Sequence, residues 1–335
     1  MPSFKFRKNL LLTLIASAVI LVAANILLNR DLFVNSSNED TIDEEEISQR
    51  FLNILAEFDI EARFIKESKV KDKHSNHVIS SFKVHVPTDL TIPEILKDVF
   101  QSFRKDSLII QSLEKVKGGK TALSLKIGSS AVLQAEFDYA KNYNRNNGYF
   151  AFILNDVDPA NKSIIDLIES PAKINLLIRP ETKNLQQLEF IRNNGQQFSV
   201  LIDDDISEQN YKLSATYSEQ RIVTVIKTLV TDFQNAACFI IDDNSNFFNS
   251  SNNEILTREL SKRNIKLFRT SDFMNLINDE TILDSFDNQL EALVSGGSII
   301  FLVSEEAYKS LNSEIKKYTK KGYRVITSSL ILLDN

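Results

Sequence analysis

QQFSVLIDDDIS, residues 196–207, decides how the second half of this chain folds. The apolar run through Val200, Leu201 and Ile202 is too short for a helix of its own and breaks off at three consecutive acids, Asp203, Asp204 and Asp205. A short, near-continuous apolar stretch bounded by polar residues reads as a strand buried on both faces. Three other runs have the same form. GYFAFILNDVD (148–158) ends at Asn155, Asp156 and Asp158, AACFIIDDNSN (236–246) at Asp242 and Asp243, and GSIIFLVSEE (297–306) at Glu305 and Glu306.

Between and beyond these runs lie KINLLIRP (173–180), IKLFRTS (265–271) and YRVITSSLIL (323–332), all strand-like and separated by segments with helical spacing of apolar residues. Gly195, Gly296, Gly297 and Gly322 stand where those helices should stop. Seven alternating units over residues 148–335 predict an α/β fold, an incomplete (β/α) barrel, with a doubly wound open sheet as the other arrangement. In a barrel the loops leaving the carboxyl ends of the strands gather on one face, so the acids would share a mouth. Grouped carboxylates repel one another unless a cation or proton offsets them. The competing reading is local, because Asp and Glu after a strand also cap the next helix, and it suits Asp158, Glu305 and Glu306 best.

Ahead of the barrel, residues 47–141 alternate helix and strand in the order helix-strand-strand twice, which predicts a small α+β module. TIPEILKDVFQSF begins after Thr91, a plausible cap, and KGGK (117–120) reads as a hairpin turn. The segment NYNRNNG (142–148) separates module from barrel.

The amino terminus reads as an address. A basic tip, residues 1–9 with Lys5, Arg7 and Lys8, precedes the uncharged run 10–28, which has the length of a membrane-spanning helix. An acidic, Asn- and Ser-containing linker, residues 29–46, follows. Positive charge before the span predicts a cytoplasmic N-terminus, a single-pass signal anchor in the cytoplasmic (inner) membrane and a chain whose bulk lies in the periplasm or outside. A cleaved signal peptide is the alternative, given Ala16, Ala18, Ala23 and Ala24.

Composition narrows the chemistry. The 335 residues carry a net charge of −6 with no basic stripe, which argues against nucleic acid as a partner. The single cysteine, Cys238, sits inside an apolar run and excludes both an intramolecular disulfide and a Cys-based zinc site. All three histidines, His74, His77 and His85, precede residue 147. No Ser-His-Asp set can therefore form within the barrel from its own residues.

On these stretches the chain from Gly148 onward resembles the divergent polysaccharide deacetylases, exported relatives of a superfamily that removes N-acetyl groups from glycans with a metal ion on a distorted barrel. The resemblance implies that Asn155 and Asp156 occupy base and metal-ligand positions. It puts Asp203 where the family has a His before a Pro, Asp242 or Asp243 at the place of the central His, and Ser245 at that of a Ser. Ser304 and Glu305 replace a late His-Pro, and Pro180 ends the second strand. Without imidazoles, zinc-dependent deacetylation is not expected, since zinc sites of that kind are built on neutral His nitrogens. An all-oxygen site suits Mg²⁺, Mn²⁺ or Ca²⁺ instead.

Two functional classes follow from this reading. One is a pseudoenzyme of carbohydrate metabolism that binds cell-wall glycan or an envelope protein, with Asn155, Asp204, Asp205, Ser245 and Glu305 on the rim. The other is an active hydrolase with Asp156 and Asp203 catalytic and Asp156, Asp242 and Asp243 on a divalent cation. Purely structural assembly through module and anchor is a third class.

Overall fold

The computed structural model describes residues 44–71 and 78–334. The anchor, the start of the linker, His74 and His77 lie outside them. Among the described residues no helix is long and apolar enough to cross a membrane.

The first unit is a five-stranded sheet carrying two helices. Its strands are β1 (Ile65–Lys71), β2 (Val78–Val86), β3 (Ile109–Glu114), β4 (Thr121–Ile127) and β5 (Ser130–Tyr139), in the spatial order β1-β2-β5-β4-β3. Only the β2/β5 pair is parallel. Inward residues Phe82, Val84, Leu133, Ala135 and Phe137 pack against Phe51, Leu55, Ile95 and Val99 from helices Glu44–Glu57 and Ile92–Ser102. The Glu94 carboxylate accepts from both the Thr91 amide (3.2 Å) and its hydroxyl (2.9 Å), which fixes the second helix's start. The helix-strand-strand repeat holds only once, because the second half adds β3, whose sequence IIQSLE is largely exposed and carries no apolar–polar alternation.

The second unit is built on parallel strands β6 (Gly148–Leu154), β7 (Ile174–Ile178), β8 (Gln197–Ile202), β9 (Phe239–Ile241), β10 (Leu267–Arg269), β11 (Met274–Leu276), β12 (Ser298–Val303) and β13 (Tyr323–Val325). Seven of them run in the order β10-β9-β8-β7-β6-β12-β11, and β13 pairs with the start of β6. The outermost strands β10 and β11 are consecutive in the chain, joined by Thr270–Phe273, which can span no more than about 18 Å. The two edges are thus drawn toward each other, and the sheet curls into an incomplete barrel. The predicted architecture is found, with β11 as an added three-residue strand.

Side chains of the curled sheet alternate between two cores. Phe150, Phe152 and Leu154 face the surrounding helices, while Ala151 and Ile153 face the interior with Leu177, Ile240, Ile300 and Leu302. The terminal run YRVITSSLIL is strand only at β13. Its remainder becomes the helix Ser328–Asp334, which closes the barrel floor by seating Ile331 and Leu332 among the interior residues. Ser328 accepts from Asn175 Nδ2 at 2.7 Å, so the floor engages the donor end of a fully buried amide whose Oδ1 is buried without a partner.

Module and barrel meet around Arg145, which lies in the NYNRNNG segment yet is only 5% exposed. Its Nε and Nη2 donate to Asp89 Oδ2 at 3.0 and 2.8 Å, and its amide donates to Asp89 Oδ1 at 3.0 Å. Nη1 donates to the carbonyls of Phe58 in the module and Lys320 in the barrel. Gly322 lies against this arginine with φ +98°, and a Cβ there would sit 2.8 Å from Arg145 Cβ. Gly322→Ala therefore combines a left-handed backbone with a backbone-near clash and is expected to cost about 2 kcal/mol. Urea titration checks this, and an unchanged midpoint would refute the close packing.

Candidate functional site

The rim follows from counting by two along each strand. Interior residues Ile153, Leu177, Leu201, Ile240, Phe268 and Leu302 lie in or against the inner core. Two positions on from each come Asn155, Arg179, Asp203, Asp242, Thr270 and Ser304. Five of these six, all but Ser304, line one cavity of about 360 Å³ at the carboxyl ends of the strands, together with Asp156, Asp204, Asp205, Asn244 and Ser245. A second hollow of about 230 Å³ shares Asp156 and Arg179 with it and continues past Asp158, Glu181 and Lys183. The mouth is a polar groove on an apolar floor.

Arg179 is the centre of its electrostatics and the residue that the sequence reading passed over in favour of Pro180. Its Nε donates to Asp203 Oδ2 at 2.8 Å, and Nη2 lies 3.6 Å from Asp205 Oδ2. Asp203 is 6% exposed. Burial pushes its carboxyl up, against the downward pull of the Arg179 hydrogen bond and charge. For Arg179, burial works downward, but the hydrogen bond and charge of Asp203, helped by Asp205 and Asp156, leave it raised. Among the aspartates of this cavity, Asp203 thus has its offsetting cation in this chain's own guanidinium, with Asp205 at the edge of its reach.

The remaining rim acids divide by what their oxygens hold. Asp204 accepts from the Asn246 amide (2.6 Å), Asn246 Nδ2 (2.8 Å) and the Phe247 amide (3.3 Å), tying the β8 loop to the β9 loop. Asp242 Oδ1 accepts from the Asn244 amide at 3.0 Å. Ser245 is buried and donates to the Asp242 carbonyl at 2.6 Å, so it shapes the turn. Asp156 stands exposed in a left-handed conformation, φ +50°, and makes no hydrogen bond among the described residues. The Asn155 side-chain oxygen is buried without a hydrogen-bond partner.

Asp243 and Glu305 are not among the residues lining either hollow. Asp243 accepts from the Thr270 hydroxyl, and hydrogen bonds from Ser271 and Thr270 hold its carboxyl below the usual range. Glu305 opens the helix Glu305–Ser310 beside the capping Ser304 and is lowered by hydrogen bonds from Lys309 and Ser163. Asp158 caps locally, accepting from the Ala160 amide at 2.9 Å.

The ligand trio Asp156, Asp242 and Asp243 is consequently not assembled on one point. Among the described residues no group of three or more His, Cys, Asp or Glu side chains could hold a metal ion. With Asp203 engaged by Arg179 and Asp204 by backbone amides, the donor set does not fit a metal centre. His85 lies exposed on β2, in the module.

No family model matches the sequence, and no curated protein matches it. Among solved structures, the chain is similar to the Bc1960 peptidoglycan N-acetylglucosamine deacetylase, at 15% identity over 55% of this chain and 87% of that one, with a TM-score of 0.37. It is similar to the catalytic domain of a peptidoglycan N-acetylglucosamine deacetylase from Eubacterium rectale, at 10% identity over 54% and 87%, TM-score 0.37. A third is a CE4 family pseudoenzyme from Bacillus anthracis, at 13% identity over 69% and 92%, TM-score 0.36. These are proteins of the kind that the sequence from Gly148 onward resembles. Similarity this low assigns no role to any residue.

Proposed function

We propose that the barrel is a degenerate, polysaccharide-deacetylase-like domain that binds cell-envelope glycan at its rim rather than deacetylating it. The observation that carries this reading is the Arg179–Asp203 pair at the mouth, which commits a buried rim carboxylate to a cation of the chain itself. A groove lined by Asn, Asp and Arg over an apolar floor offers paired donors and acceptors to sugar hydroxyls, while metal-assisted deacetylation needs a metal-activated water, and among the described residues no group of three or more His, Cys, Asp or Glu side chains could hold that metal. The anchor expected at residues 10–28 would hold the domain at the membrane, outside the cytoplasm, where such glycan is found.

The test joins binding to catalysis. Purified protein, mixed with N-acetylated cell-wall oligosaccharides and millimolar Mg²⁺, Mn²⁺, Ca²⁺ or Zn²⁺, should bind by calorimetry and release no acetate above background. Asp156→Ala should weaken binding about tenfold, the loss of one charge-assisted hydrogen bond. Metal-stimulated acetate release abolished by Asp156→Asn would replace this reading with the hydrolase. A thermal shift with one cation, lost in Asp156→Asn and Asp242→Asn, would restore the metal.

A further inference from the structure

The module's sheet has two unlike edges. β1 carries Lys66, Glu67, Lys69 and Lys71 among seven residues, the charged pattern that blocks edge-to-edge pairing. β3, at the other edge, has one charge, Glu114, and no proline, and its side chains stand open, with Ile109 47% and Leu113 67% exposed. An unguarded edge with unpaired backbone groups is a template for another strand.

We propose that β3 pairs antiparallel with β3 of a second copy of this chain, about a two-fold axis at Gln111. That register sets Gln111 opposite its own mate and Ile109 opposite Leu113 of the other copy, so the exposed apolar residues of one face cover each other in two equivalent pairs. No like charges come opposite one another within the strand, because Glu114 meets Leu108. The paired surface is small beside the roughly 1,200 Å² or more of a stable interface, so the dimer forms in a concentration-dependent manner.

Directly opposed residues of an antiparallel pair have Cα atoms about 4.5–5.5 Å apart, within disulfide reach. Full-length Gln111→Cys in detergent should therefore cross-link to a dimer on mild oxidation. Ser112→Cys, which is offset from its mate by about 7–8 Å or more, should cross-link about tenfold less. The native thiol of Cys238 is buried and adds no background. Leu113→Lys, at an exposed position, should leave the fold intact and return the protein to monomer by light scattering. Equal cross-linking at positions 111 and 112, a Leu113→Lys dimer, or a monomer at every concentration overturns the proposal; the last would leave the edge to an extended segment of another protein.

Discussion

Arg179→Ala is expected to destabilise the barrel by about 3 kcal/mol at neutral pH, the low end for breaking a buried ion pair because the arginine side chain is 37% exposed. The loss comes from what remains. Asp203 stays buried, with Asp205 nearby, and the cation that tolerated them is gone. The pH dependence identifies the cause. A buried carboxyl with a raised pKa contributes stability that is fully present below its unfolded value, about 3.9, and lost as pH rises through the folded value. Removing Arg179 removes the downward pull and extends that window upward, so the deficit of the variant should shrink as urea titrations move from pH 7 toward pH 4. Asp203→Asn placed on top of Arg179→Ala should recover most of it, since a neutral amide needs no counter-charge. A deficit independent of pH would mean that lost packing, not an orphaned carboxylate, is responsible.

The strands framing this mouth were readable because they are buried on both sides. FAFIL, INLLI and IIFLV need no alternation to be recognised, and helices of ordinary amphipathic spacing separate them. β11, three residues long, offers too little pattern to distinguish it from a loop. The helix Ser328–Asp334 was hidden for another reason. TSSLILL has strand-like composition, and it turns helical where Ser328 meets Asn175 and Gln197 and where Ile331 and Leu332 fill the barrel floor. Such contacts between distant residues have no local signature.

The rim shows the same division. Acids at strand ends stand out by their letters, which drew Asp243 and Glu305 into the expected site along with Asp203 and Asp242. Strand parity separates them, because Asp242 keeps the inward phase of Ile240 and Asp243 does not. The same count from Leu177 leads to Arg179. That residue is legible by the count, although no run of like charge marks it. What spacing alone withholds is the 2.8 Å contact to Asp203, which depends on β7 and β8 pairing side by side and in parallel.

Arg145→Ala should have a still larger effect, about 4 kcal/mol, because both members of its pair are almost wholly buried, at 4% and 5% side-chain exposure. The substitution orphans the Asp89 carboxylate and frees the Phe58 and Lys320 carbonyls at the seam between module and barrel. Lys320 still reaches Asp98 at 2.5 Å and Glu57 at 3.3 Å, but it is about one-third exposed, so these contacts are too screened to hold the seam alone. The expected signature is a split transition, with the module unfolding before the barrel, and new protease cleavage within residues 140–148. Replacing both partners, Arg145→Met with Asp89→Leu, removes the unpaired charge and should recover more than half of the loss while leaving the carbonyls unsatisfied. If the double variant is as unstable as the single one, the carbonyl contacts rather than the buried charge pair hold the two units together.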